Sequence, residues 1–176
     1  MPHKVSSKDR KNEKVRILIV SDTDKDHGPL YALMLNYRFR LRGFEKFISA
    51  ESVGVESGQR NNTFRTEFLD ACDGMMFHRD ELRRHKAREL DCMTTDELRE
   101  FDLIMCMSAA QMEPVLKRLG GPDASVSLVD EFSIVLPESN GVQAIKEHVC
   151  RLFVLSYKQS NKLIAHFLKV KDPALQ

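Results

Sequence analysis

Short apolar runs alternate with longer, periodically apolar segments along most of this chain. Each run has the length of a buried β-strand and is bounded by polar or turn-forming residues. We therefore predict four strands, at residues 15–20, 46–50, 102–107 and 126–129. The continuously apolar run at 102–107 is typical of a central parallel strand that is covered on both faces.

The segments between these strands carry signals for the starts and ends of helices. Pro29 is favoured in the first turn of a helix, and Gly43 ends the pattern that follows it. Two capping boxes, Thr94–Glu97 and Ser108–Gln111, mark two further helix starts. We predict helices at residues 29–42, 62–76, 95–101, 109–119 and 142–168.

This alternation predicts one α/β domain, a four-stranded parallel sheet with helices on both faces. We place the domain at residues 15–170, between a flexible polar tail at 1–14 and a short tail at 171–176. In such sheets ligands bind beyond the carboxyl ends of the strands. The first strand reaches that edge at Ser21, so the loop at 21–28 is a candidate functional loop.

Composition and charge narrow the class of protein. The 176 residues are 42% hydrophobic and 30% charged, with a formal net charge of +1. This balance creates no overall field that would attract nucleic acid or an anionic membrane, and no apolar run has the length of a membrane span. The four cysteines lack the spacing of a metal site and are typical of a reducing compartment. We therefore expect a cytoplasmic protein that binds neither membrane nor nucleic acid.

The candidate loop has an unexpected charge for its position. A helix N-terminus favours anions, yet this loop contains Asp22, Asp24 and Asp26, offset by Lys25. A carboxylate about 6 Å from a phosphate charge is repelled by roughly 3 kcal/mol at an effective dielectric near 20, whereas a helix terminus supplies about 1 kcal/mol. We therefore predict that the loop binds oxyanions weakly or not at all.

Three roles for these aspartates stay open. Carboxylates at alternating positions can converge on a divalent cation, and the pattern resembles both the start of haloacid-dehalogenase phosphatases and the metal segment of toprim domains. Aspartates also form turns and cap helices on solvated loops. The third role is recognition of a basic peptide, an amine or a cation.

Four stretches, in order, resemble the low-molecular-weight protein tyrosine phosphatases, to which thioredoxin-coupled arsenate reductases are related. "ILIVSDTDKDHGP" stands where that family has a strand, a C-x5-R phosphate loop and Ser/Thr-Pro, and "ISAESVGVESG" is similar to its second strand and glycine-rich loop. "RRHKAREL" with "TTDELREFDLIMCMS" resembles its H-x-A-R segment, acidic helix and following strand, and "LPESNG" resembles its Asp-Pro acid loop. The resemblance covers residues 15–168 and implies a Rossmann-like, three-layer fold.

The matching positions lack the residues that the family uses for catalysis. Ser21 stands at the place of the cysteine nucleophile, and a serine hydroxyl is a much weaker nucleophile unless a base activates it. His27 replaces the arginine that clamps the phosphate, and Gly28 replaces the hydroxyl residue before the proline. Glu138 stands roughly where the family has its general acid.

The resemblance also implies that His85 and Arg88 brace the loop region. We therefore expect a pseudophosphatase, a catalytically inactive binding or regulatory module that uses no cofactor. Its partner is expected to be a protein or peptide, and the charge of the loop favours a basic one. The predicted contact residues are Asp22, Thr23, Asp24, Lys25, Asp26 and Gly28. The alternative is a phosphohydrolase in which Asp22, Asp24 and Asp26 bind Mg²⁺ or another divalent cation.

Overall fold

A computed structural model describes residues 14–56, 63–73, 75, 79–129 and 141–169. The four strands of its parallel sheet are β1 (Val15–Ser21), β2 (Ile48–Gly54), β3 (Leu103–Cys106) and β4 (Val126–Leu128). The helices are α1 (His27–Leu41), α2 (Thr66–Ala71), α3 (Arg79–Arg84), α4 (Thr95–Arg99), α5 (Met112–Leu119) and α6 (Val142–Leu168). Short 3₁₀ turns occupy Leu90–Cys92 and Ala109–Gln111.

The spatial order of the strands is β2-β1-β3-β4, and all neighbouring pairs are parallel. Successive residues of β1 face opposite layers, because side chains alternate along a strand. Ile17 and Ile19 pack in a core with α1, α2 and α6, whereas Leu18 and Val20 pack in a second core with α4 and α5. The predicted α/β fold, with a four-stranded parallel sheet covered on both faces, is confirmed.

The start of α1 differs from the prediction. The helix begins at His27 because the Asp26 carboxylate accepts a hydrogen bond from the His27 N–H at 2.8 Å and so caps the helix two residues before Pro29. Pro29 still lies in the first turn, where backbone N–H groups have no partner within the helix. The missing N–H of proline therefore costs no helical hydrogen bond there.

The second strand is displaced toward the carboxyl edge, at 48–54 in place of 46–50. A turn precedes it, in which the Phe47 N–H donates to the Phe44 carbonyl at 2.9 Å. Parallel pairing with β1 then continues to the end of both strands. The polar residue Glu51 is tolerated within β2 because its carboxylate pairs with Arg16 at 2.8 Å and with Arg88 at 3.0 Å.

The helix predicted at 62–76 is shorter, since α2 covers only Thr66–Ala71. Residues 62, 74 and 76 lie outside the described part of the chain, as do residues 1–13 of the predicted tail at 1–14 and the whole of the predicted tail at 171–176. The final helix, α6, has the predicted bounds. Among the helices that the structure describes, none is both long and apolar enough to cross a bilayer.

The outer edge of β2 is closed by partners from two other segments. The Asn36 side chain on α1 bonds both backbone groups of Ala50, donating to the carbonyl and accepting from the N–H, each at 2.8 Å. Farther along, the Gly54 N–H donates to the Arg88 carbonyl at 2.9 Å. An edge strand with such partners is protected from pairing with other chains, and the contact holds segment 85–88 beside the carboxyl end of the sheet.

Candidate functional site

Residues 21–26, called here the acidic loop, connect β1 to α1 at the carboxyl end of the sheet. All six of their carbonyl groups accept hydrogen bonds, at distances of 2.7 to 3.2 Å. The donors, in order from residue 21 to residue 26, are the Val55 N–H, the Glu56 N–H, the Ser21 hydroxyl, the His85 ring, the Arg65 N–H and the Leu30 N–H. Carbonyls that are this fully paired fix the path of the loop.

The N–H groups of residues 22–26 donate no hydrogen bond to any other described residue. They are therefore the backbone groups that remain for a ligand. However, no residue of the loop has a positive φ, so the left-handed residue that shapes many anion-binding loops is absent. The loop also packs tightly against β2, because a Cβ at Gly54 would lie 2.6 Å from the Asp24 amide nitrogen.

Ser21, at the position of the expected nucleophile, is fully buried. Its hydroxyl donates to the Thr23 carbonyl at 2.7 Å, which is its one hydrogen bond within the described residues. Gly28 packs directly on it, and a Cβ at Gly28 would lie 2.1 Å from the Ser21 Oγ. A buried hydroxyl whose proton is held by a carbonyl has no base to activate it as a nucleophile.

The Asp24 carboxylate is 2% exposed and joins the acidic loop to segment 85–88. Its Oδ2 accepts from the Arg88 N–H at 2.9 Å and lies 3.0 Å from the His85 Nε2. The same ring nitrogen lies 2.9 Å from the Asp24 carbonyl. Because both oxygens are acceptors, Nε2 carries the hydrogen. Burial alone would lower the pKa of His85, but the bond to Asp24 outweighs it and the pKa is raised.

Asp26 is also buried, and its carboxylate holds the loop to the start of α1. Its Oδ2 lies 3.6 Å from the Arg65 Nη1 and accepts from the Thr23 hydroxyl at 3.3 Å. Burial alone would raise the pKa of Asp26, but the contacts with His27 and Arg65 outweigh it and the pKa is lowered. The carboxylate is therefore charged at neutral pH.

Asp22 bonds a third element. Its Oδ1 accepts from the Gln111 side-chain amide at 3.0 Å, and the Gln111 Oε1 in turn accepts from the Ser108 N–H at 3.0 Å. The three aspartates thus bind partners in three different segments. Within the described residues no group of three or more His, Cys, Asp or Glu side chains is placed to hold a metal ion. The alternative of a divalent cation at Asp22, Asp24 and Asp26 has no support from this geometry.

Burial separates the six predicted contact residues into two groups. Asp24, Asp26 and Gly28 are buried and therefore stabilise the loop instead of facing a partner. The residues that a partner can reach are half-exposed: Asp22, Thr23 and Lys25. Glu138, the candidate general acid, lies outside the described residues.

His85 and Arg88 contact the loop in different ways. His85 does so with its ring, and Arg88 with its backbone N–H. The Arg88 guanidinium instead pairs with Glu51 at 3.0 Å. The guanidinium is therefore engaged with β2 and not with the acidic loop.

His27, at the position of the expected phosphate clamp, points into the protein. Its ring is 2% exposed and packs edge-to-face on the ring of His148 from α6, with 5.9 Å between the centroids. Its Nδ1 lies 2.8 Å from an Asp26 oxygen, but without the alignment of a hydrogen bond. The rings of His148 and Phe68 also pack edge-to-face, with 6.2 Å between the centroids. Burial lowers the pKa of His148 to about 4.

Sequence reasoning missed three residues of this region. Arg65 lies in a segment without a motif, and His148 lies on the apolar face of α6, where it reads as part of the core. For Gln111, the capping-box motif predicts only that the side-chain oxygen accepts a hydrogen bond from the N-cap backbone N–H. The motif gives no partner to the amide nitrogen of the same side chain, and this unused donor was the signal that could have indicated a contact with the loop.

The chain has the fold of the low-molecular-weight protein tyrosine phosphatases. YfkJ from Bacillus subtilis matches with a TM-score of 0.71 and 17% identity, over 92% of this chain and 99% of that one. A low-molecular-weight protein tyrosine phosphatase from T. tengcongensis matches with a TM-score of 0.67 and 17% identity, over 85% and 99%. YwlE arginine phosphatase, as a cysteine-to-serine mutant with a phosphorylated active-site serine, matches with a TM-score of 0.72 and 14% identity, over 92% and 100%.

No family model and no curated protein matches the sequence. Identities this low show the fold and not the activity. The resemblance inferred from the four sequence stretches is therefore confirmed at the level of the fold.

Replacing Asp24 is expected to destabilise the protein far more than replacing Asp22. Asp24→Ala leaves the His85 ring and the Arg88 N–H without their buried acceptor and should cost about 3 kcal/mol. Asp22→Ala removes one half-exposed hydrogen bond and should cost about 1 kcal/mol or less. Urea unfolding of both variants measures the difference. Equal losses would contradict the role given to Asp24.

His148 is expected to make the protein less stable in mild acid. The pKa of His148 is about 4 in the folded chain against 6.5 as its ordinary value. The unfolded chain therefore binds the proton first as the pH falls, and stability is lost between these two values. By about pH 5 the loss relative to about pH 7.5 should reach roughly 2 kcal/mol.

The measurement is urea unfolding at both pH values. His148→Leu should remove this part of the acid loss, whereas His166→Leu, at an exposed position of the same helix, should retain it. The raised pKa of His85 changes stability in the opposite direction, because the stabilisation from His85 is lost as the pH rises. This contribution is the same in the unaltered protein and in both variants. An unchanged acid loss in His148→Leu would show that His148 titrates normally.

Proposed function

We propose that this chain is a pseudophosphatase, a binding or regulatory module built on the phosphatase fold that does not turn over phosphate esters. One observation carries the proposal. The hydroxyl at the position of the nucleophile, Ser21, is buried, is bonded to the Thr23 carbonyl and is covered by Gly28. Phosphoryl transfer to Ser21 would require this hydroxyl to be exposed and deprotonated.

The charges around the loop support the same conclusion. A phosphate ester at the carboxyl end of β1 would meet the half-exposed carboxylate of Asp22, and the ring of His27 points away toward α6. Catalysis of phosphoryl transfer depends on positive groups that stabilise the charge on the transferred phosphoryl oxygens. Arg65 and Arg88 contact the loop through their backbone N–H groups, and the guanidinium groups of both pair with carboxylates.

A protein or peptide with basic residues is the proposed partner. Asp22 is half-exposed, and the exposed Glu56 lies beside it because the Glu56 N–H donates to the Asp22 carbonyl at 2.9 Å. The half-exposed carboxylate of Asp22 favours a cationic segment over an anionic one. A cytoplasmic location belongs to the same proposal.

Hydrolysis of p-nitrophenyl phosphate tests the absence of turnover. The folded protein, first with EDTA and then with Mg²⁺, Mn²⁺ or Ca²⁺, should release no p-nitrophenol above the rate of the buffer. Mass spectrometry of the same samples should show no phosphoryl group on Ser21. This second readout matters because the matched YwlE mutant carries a phosphorylated serine. Ser21→Ala is the control and should be indistinguishable from the unaltered protein.

Two results would contradict the proposal, and they differ from each other. Turnover that needs a divalent cation and is lost in Asp22→Asn would indicate a metal-dependent phosphohydrolase. Turnover without metal, accompanied by a phosphoryl group on Ser21 and abolished in Ser21→Ala, would indicate a serine-based phosphatase.

A further inference from the structure

A cleft of about 310 Å³ lies on the outer side of β2, between α1, α3 and segment 85–88. Its lining includes four buried residues from three of these elements: Pro29, Ala32, Ala50 and Leu82. This volume lies at the lower end of the range for small-molecule sites, which are typically apolar with a few placed polar groups. An occupant would therefore be compact, on the order of a single ring with one polar substituent.

The charged residues that line the cleft balance, Glu51 and Glu81 against Lys86 and Arg88, but Lys86 has no carboxylate partner among the described residues. Glu51 is neutralised by Arg16 and Arg88, at 2.8 and 3.0 Å. Glu81 lies 3.8 Å from Arg40. Lys86 also lines the cleft and is exposed, and it forms no ion pair with any described residue. A ligand with a negative group would therefore find a cation there that has no competing partner.

His85 adds a second, oriented group to the same rim. The Nε2–H of its ring donates a hydrogen bond to Asp24, so the ring is held in one orientation. The other ring nitrogen, Nδ1, is therefore left for a ligand. The side chain is 20% exposed and lines the cleft. An imidazole fixed in this way by a buried carboxylate is preorganised, and little entropy is lost when it binds.

We propose that this cleft binds a small organic anion, whose carboxylate or phosphate group contacts Lys86 and His85 and whose apolar body lies on Ala32 and Leu82. The site is separate from the acidic loop, although Asp24 and His85 connect the two. The proposal does not depend on whether the loop turns over phosphate esters.

Titration of ¹⁵N-labelled protein with benzoate and, separately, with phenyl phosphate tests this site. Each anion should cause saturable shifts in the amide resonances of Ala32, Leu82 and Lys86. Benzamidine, of similar shape but opposite charge, should cause none. The two anions distinguish a preference for carboxylate from a preference for phosphate.

Substitution at the rim gives the matched comparison. Lys86→Ala should weaken benzoate binding about tenfold, whereas Lys158→Ala, at an exposed position of α6, should leave it unchanged. Both positions are exposed, so neither variant is expected to unfold.

Benzoate affinity should also fall as the pH rises through the raised pKa of His85, because the imidazolium Nδ1–H is then lost. The other ionisable groups around His85 are Asp24 and the cleft residues Glu51, Glu81, Lys86 and Arg88. In His85→Gln this pH dependence should disappear.

Absence of saturation, or equal binding by Lys86→Ala and the unaltered protein, would overturn the proposal. So would phenyl phosphate shifts centred on Thr23 and Lys25 with none at Lys86, because the anion would then occupy the acidic loop. Hydrolysis of phenyl phosphate during the titration would contradict the proposed pseudophosphatase and leave the benzoate result as evidence on the cleft.

Discussion

The buried carboxylate of Asp24 sets the main constraint on this structure. Burying a charged group costs several kcal/mol unless hydrogen bonds replace the lost water. The Arg88 N–H and the His85 ring provide such bonds to the Oδ2 atom of Asp24, and they fix segment 85–88 against the end of β2. The buried Asp26 is held to α1 by the same principle, and the half-exposed Asp22 bonds Gln111. The acidic loop is therefore stabilised by its own carboxylates.

This arrangement supports the proposal that the fold is present without the phosphatase chemistry. The sheet still delivers the loop to the edge where ligands bind in parallel α/β proteins. However, the hydroxyl of Ser21 is covered by Gly28, and the ring of His27 packs against His148 instead of facing the loop. Lys86 and His85 line the cleft on the outer side of β2, which is where we propose that a small anion binds.

The fold could be predicted from the sequence, but much of the site could not. Strands buried on both faces produce continuous apolar runs, and these runs identified the sheet. The start of α1 was misplaced because the cap at Asp26 outweighed the signal of Pro29. The partners of Asp24 and Asp22 lie 61 to 89 residues away along the chain. No local pattern indicates such contacts, so the aspartates read as exposed binding residues or metal ligands when most of them are buried.

Titration with orthovanadate, followed through the amide resonances of residues 22–26, tests the central claim most directly. These N–H groups donate no hydrogen bond within the described part of the chain, so a retained oxyanion site would have to use them. A loop held closed by its own carboxylates should show no saturable shift up to about 10 mM vanadate. Saturable shifts in these amides below about 1 mM, persisting in Lys86→Ala, would show that the phosphate-binding site of the fold has been kept.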